Sequence, residues 1–214
     1  MDREHLGVDY LLAEAAYLVR REKEATGNAE PAEGYKRGQI EKLKEFATLN
    51  DLWIDFNTLS LSYLNKGGEN EVFTGNEDIV FKLNNFEYAG DDLTNFFIRI
   101  KAHNHFFYNV AYTLVGFAYN SIHEFCAVLV QPYVRAKREA TEEEIADYME
   151  ALGFEMDYED EYHNEEYEVF DAVPNNVLYG IDHKLYFIDT QIRLRSSHIA
   201  VSYTHLRAHE TAAN

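Results

Sequence analysis

Three residues in the last third of the chain combine types and spacing that suit one kind of chemistry. Asp171 is followed five positions on by Asn176, and Asp189 comes thirteen after that. Phosphoryl transfer from ATP needs such a set: one carboxylate to orient the acceptor hydroxyl, and an amide oxygen with a second carboxylate to hold Mg²⁺. Apolar, strand-like runs flank the pattern, Val177-Leu178 after the Asn and Leu185-Tyr186-Phe187-Ile188 before the second Asp. Either spacing alone is a cheap coincidence in a chain rich in Asp and Asn; both together, so flanked, are more specific. Pro174-Asn175 reads as a turn, which a catalytic loop tolerates.

Composition sets the frame for these residues. A chain of 214 residues suits one domain with an accessory segment, or two small lobes. Apolar residues at 46% and aromatics at 14% are enough to bury a core. A net charge of -19, from 38 acidic and 19 basic residues, argues against a broad nucleic-acid or anionic-membrane surface. It does not argue against ATP, whose phosphates meet a local site. Cys126 is the only cysteine, so no disulfide framework or Cys-based zinc site exists, and its apolar run Phe125–Val130 marks it as a buried structural thiol. No apolar stretch approaches the roughly 18 residues of a membrane span, and Met1-Asp2-Arg3-Glu4 opens no signal-type core. The expectation is a cytoplasmic protein with neither membrane nor nucleic-acid partner. Its oligomeric state is not legible.

The elements that must position the three residues follow from periodicity. Residues 6–23 read as an amphipathic helix with Leu11, Leu12, Ala15, Leu18 and Val19 at helical spacing. Thr26–Gly34 reads as a linker, and 35–49 as a second helix carrying Ile40, Leu43 and Phe46. Both helices read as packing elements. From Leu52 short strands are expected: Tyr63–Lys66 and Glu69–Phe73 around Gly67-Gly68, then Ile79–Leu83 after a turn at Gly75–Asp78. A helix over 91–107, opened by Asp91-Asp92, precedes strands at Tyr112–Tyr119 and Phe125–Pro132. Thr141-Glu142-Glu143-Glu144 has capping-box spacing for a helix through Leu152, stopped by Gly153. The acidic stretch Asp157–Glu168 reads as a solvated loop or edge strand in preference to a partner-binding patch.

Residues 201–211, Val-Ser-Tyr-Thr-His-Leu-Arg-Ala-His-Glu-Thr, look like a translated sequencing-library adapter and are set aside. His205 and His209 within them stand four apart but are discounted as a metal pair. The natural sequence is expected to end, or to be cut, near Ala200.

Gly67-Gly68-Glu69, His103-Asn104, Ala140–Ile145 running to Ala151–Phe154, and Asp171–Leu178 resemble the compact kinase family found in polyvalent proteins, multidomain products of phages and conjugative elements. The similarity covers about residues 40–195. The resemblance implies an α+β, reduced protein-kinase-like bilobal fold, with an antiparallel N-lobe sheet holding one helix and a small helical C-lobe. It also implies ATP with Mg²⁺, and Ser/Thr/Tyr kinase activity on a protein substrate the sequence does not name. By that resemblance Asp171 is the catalytic base and Asn176 and Asp189 hold the metal. Lys82, on the third strand, grips the α- and β-phosphates. Gly67, Gly68 and Glu69 form the phosphate-covering turn, and Gln131 and Tyr133 stand where a hinge would offer backbone groups to adenine. The implied organisation is an N-terminal helix and linker at 1–34, the kinase-like domain at 35–199 and the adapter at 200–214.

The chain departs from the family pattern in ways that keep alternatives open. Val169-Phe170 stand where His-Arg would precede Asp171, and Thr190-Gln191 follow Asp189 in place of Phe-Gly. The glycine turn has two glycines. The helix at 91–107 contains no Glu for Lys82; Asp91, Asp92, Glu69 and Glu87 are the possible substitutes. An active protein kinase, a pseudokinase-type binding module and a small-molecule kinase of the aminoglycoside or choline type remain the three readings.

Overall fold

The computed structural model describes residues 10–26, 33–59, 61–75, 78–158 and 160–195. Residues 6–9 of the first expected helix, most of the expected linker and the adapter-like segment with His205 and His209 lie outside the described residues. The chain divides into two units, Met1–Ile100 with Asn109–Tyr133 and Lys101–Tyr108 with Val134–Asn214.

The first unit begins with helices α1 (Tyr10–Thr26) and α2 (Glu33–Leu49). Leu12, Ala15 and Val19 bury one face of α1, and Leu43, Phe46 and Ala47 one face of α2. A five-stranded antiparallel sheet follows, of β1 (Ser62–Lys66), β2 (Asn70–Thr74), β3 (Ile79–Asn84), β4 (Thr113–Tyr119) and β5 (Phe125–Pro132). Its order is β1-β2-β3-β5-β4, and β5, the most apolar run, lies between β3 and β4. Helix α3 (Thr94–Phe106) interrupts the strand sequence; its residues to Ile100 belong to this unit. Leu93, Phe96, Phe97 and Ile100 share one core with α1, α2, Phe117, Phe125 and Leu129.

Gln39 ties the helices together. It is fully buried; its Oε1 accepts from Leu93 N at 2.8 Å, and its Nε2 donates to Asp92 Oδ1 at 2.8 Å and to Val19 O at 3.2 Å. Asp92 also accepts from Thr94 N at the start of α3 and pairs with Lys23 at 2.6 Å. Burial pushes its carboxyl up, but the bonds from Gln39, Lys23 and Thr94 outweigh that and hold it below the ordinary value. The expected caps at the start of this helix therefore reduce to Asp92.

In the second unit, β6 (Ala136–Glu139) precedes helix α4 (Glu142–Ala151), and β7 (Glu155–Tyr158), β8 (Glu161–His163), β9 (Tyr167–Phe170), β10 (Val177–Gly180), β11 (Leu185–Phe187) and β12 (Gln191–Leu194) follow. Two antiparallel sheets result, ordered β11-β10-β6 and β12-β9-β8-β7. The capping box at Thr141 and Glu144 forms as its spacing predicts. Gly153, at φ 82, takes the left-handed position that ends α4.

One expectation needs correction. The second unit is not a small helical lobe: α4 is its one complete helix among the described residues, against seven strands. The acidic run, read as a solvated loop or edge strand, contributes to three strands with β7 at the sheet edge; Tyr162 and Val169 are buried in them, and none of the described carboxylates of the run is. Its charge hid the apolar positions that pin the sheet.

Candidate active site

Asp171 follows the last residue of β9, and Asp189 precedes the first residue of β12 by two. These strands are antiparallel neighbours in the register Phe170↔Gln191, so pairing alone brings the two carboxylates to the same end of the sheet. Asp171 itself has a left-handed backbone, φ 56, which Asp tolerates better than most side chains.

Asn176 closes the arrangement from the 3₁₀ turn Pro174–Asn176. Its Nδ2 donates to Asp171 O at 3.0 Å, which leaves Oδ1 as the acceptor of the amide. Its own carbonyl accepts from Ile188 N at 2.9 Å, the residue before Asp189. On the far side, Ala172 N donates to Asp160 O at 3.3 Å, bringing the β7–β8 turn to the Asp171 loop. Burial raises the Asp171 carboxyl above the usual carboxylate range, and the charges of Asp160 and Asp189 raise it further.

Asp171, Asn176 and Asp189 thus form one constellation in the second unit. Asn Oδ1 and an Asp carboxylate are hard oxygen donors of the kind Mg²⁺ takes together with phosphate oxygens. Among the described residues no three His, Cys, Asp or Glu side chains converge into a metal cluster. Thr190 Oγ1, beside Asp189, is buried without a hydrogen-bond partner, as a site completed by a ligand or water would have it.

The remaining sequence-predicted residues lie in the first unit. Lys82 stands on β3 opposite Val72 and Leu129 and is only 5% exposed. Its Nζ donates to Tyr112 Oη at 3.1 Å and lies 5.1 Å from the Tyr112 ring centre. Of the acids weighed as its partner, Glu69 pairs with Arg99 at 2.5 Å and Asp92 with Lys23. Gly67 and Gly68 form the β1–β2 turn, where a methyl added at Gly68 would overlap the Tyr88 hydroxyl. Glu69 is buried, and its carboxylate serves the Arg99 pair; Arg99 also donates to Tyr88 O, so the acid anchors the turn.

At the strand end, Gln131 is buried, its Nε2 bonded to Val110 O at 2.7 Å. The Tyr133 N–H donates to Asp78 O at 2.9 Å. Sequence reasoning passed over Tyr112 and Asp160, which reach their partners through tertiary contact and carry no local signal.

A carboxylate, an amide and a second carboxylate thus stand at one sheet end of the second unit, and a buried lysine stands on the third strand of the first. The model of the serine/threonine/tyrosine kinases found in polyvalent proteins matches residues 36–196, and the chain belongs to that family. No curated protein and no solved structure matches the chain. The matched region starts within α2, so α1, which contributes to the core of the first unit, precedes it.

Proposed function

We propose that the protein transfers the γ-phosphoryl group of ATP to a hydroxyl of a protein substrate. The observation that supports this most is the linkage Asp171 O to Asn176 Nδ2 and Asn176 O to Ile188 N, which ties Asp171, Asn176 and the residue before Asp189 to one another. Mg²⁺–ATP, when bound, supplies the transferable group and a cation that neutralises its developing charge. Asn176 Oδ1 and the Asp189 carboxylate would hold that cation. Asp171 accepts the hydrogen bond of the acceptor hydroxyl and takes its proton, a task that a raised carboxyl performs better than an ordinary one. Lys82, with Tyr112 orienting its amine, is the cation for phosphate oxygens.

Calorimetric titration with Mg²⁺–ATP tests the nucleotide part of this reading. The wild type should bind. Asp189→Ala should lose most of the metal-dependent affinity, and Lys82→Met should weaken binding with and without metal. No heat with the folded wild type would favour a nucleotide-free interaction role. Transfer to a polycationic small molecule but not to protein would move the assignment to a small-molecule kinase.

A further inference from the structure

His103 takes no part in the chemistry above, yet it is a titratable side chain buried to 2% exposure and joined to the metal-side strand. Its Nε2 lies 2.9 Å from Phe187 O. A carbonyl oxygen only accepts, so that nitrogen must carry a hydrogen. The same peptide unit is held at its other end, where Ile188 N donates to Asn176 O. Both polar atoms of the Phe187–Ile188 peptide are therefore fixed, one residue before Asp189.

The apolar surroundings restrain it further. Phe187 is fully buried and stacks on Phe107 at 4.4 Å and 9°, while the Tyr148 ring of α4 lies 5.0 Å from the Phe187 ring, tilted by 35°. The His103 ring meets the edge of Phe107 at 5.3 Å. His103 and Phe107 stand four apart at the end of α3, so one helix end grips one residue by both its ring and its carbonyl.

We propose that His103 is a positioning residue: by holding the Phe187 carbonyl it sets the approach of the chain to Asp189, and so the place of the metal-binding carboxylate relative to Asn176. The proposal rests on the phosphotransfer reading for its consequence, though not for the brace itself. The chain has Val169-Phe170 where the family pattern has His-Arg before the catalytic Asp, and here an imidazole comes to the same loop system from a helix.

Three variants test it. His103→Leu keeps bulk and removes the donor, His103→Gln restores an N–H at similar reach, and His103→Asn carries one too short to arrive. In the nucleotide-free protein, Ile188 amide exchange followed by NMR should speed about tenfold in His103→Leu and His103→Asn, as expected for a lost hydrogen bond, and return towards wild type in His103→Gln. With a non-hydrolysable ATP analogue, Mn²⁺ affinity read by EPR should fall about tenfold in the first two variants. Metal-free nucleotide affinity should stay within twofold, a split that general destabilisation would not produce. Should His103→Leu fail to fold, the Gln and Asn pair carries the comparison. Unchanged Ile188 exchange and Mn²⁺ affinity in variants of a nucleotide-binding wild type would overturn the positioning role alone. A wild type that binds neither Mn²⁺ nor nucleotide would overturn the phosphotransfer reading and this role with it.

Discussion

Replacing Gln39 by Leu should unsettle the first unit more than any polar-to-apolar change of similar size elsewhere in it. The side chain is fully buried and makes three hydrogen bonds, to Leu93 N, Asp92 and Val19 O. Leucine fills similar space but leaves the Leu93 N–H without its acceptor and removes one donor from a half-buried carboxylate. Each orphaned group costs about 1–3 kcal/mol, so a net loss of about 2–4 kcal/mol is expected. Trp53, the only tryptophan, reports this unit, stacked on Tyr119 at 5.3 Å and edge-on to Phe125 at 5.7 Å. With a urea slope of about 1–3 kcal/mol/M, the midpoint of its fluorescence transition should fall by about 1–2 M. The pH dependence gives a second check. Asp92 is held below its ordinary value of 3.8, so its contribution is present above that pH and is lost as pH falls through the lower folded value. The variant, lacking one bond that depresses Asp92, should show a shallower acid loss. A midpoint within about 0.3 M of wild type, under 1 kcal/mol on that slope, would refute the role given to Gln39.

Gly116→Ala should cost about 2–3 kcal/mol by the same fluorescence measurement, because its methyl would run into the carbonyl of Leu52, which accepts the Phe117 N–H. Asp171→Asn keeps a residue that tolerates the left-handed backbone and should raise the melting temperature at pH 7 by no more than a few °C. The sign follows from a folded carboxyl raised above its unfolded value: native stability falls as pH rises from the unfolded value through the folded one, so the gain should vanish in acid where both forms are protonated. Cys126 is fully buried and its thiol is pushed up to about 12, first by burial and then by the charge of Glu124. It should resist thiol reagents in the native protein and react fully in denaturant; fast native labelling would contradict its place in the core.

The first unit was largely legible because its elements announce themselves locally. Apolar residues at helical spacing marked α1 and α2, the glycine pair marked the β1–β2 turn, and Phe125–Pro132 was apolar enough to read as a buried strand. In the second unit the capping box at Thr141 was equally plain. The acidic strands were only partly so: an edge strand was one of two readings, but Tyr162 and Val169 are lone inward positions among carboxylates whose charge dominates. For the site, spacing gave Asp171, Asn176 and Asp189 but not what holds them. The register Phe170↔Gln191, the Tyr112 hydroxyl at Lys82 and the His103 bond to Phe187 all join residues 20 or more positions apart. Such pairings are set by the packed fold and leave no periodic trace.

The most direct test of phosphotransfer is a single-turnover incubation with γ-labelled ATP, Mg²⁺ and protein acceptors, comparing wild type with Asp171→Asn. Wild type should move label onto a protein hydroxyl. Asp171→Asn should bind Mg²⁺–ATP within about threefold of wild type yet transfer at least about 100-fold more slowly, as expected for a lost general base. Equal transfer by both proteins, or none by a wild type that binds Mg²⁺–ATP, would contradict the assignment of Asp171 as the group that receives the acceptor proton.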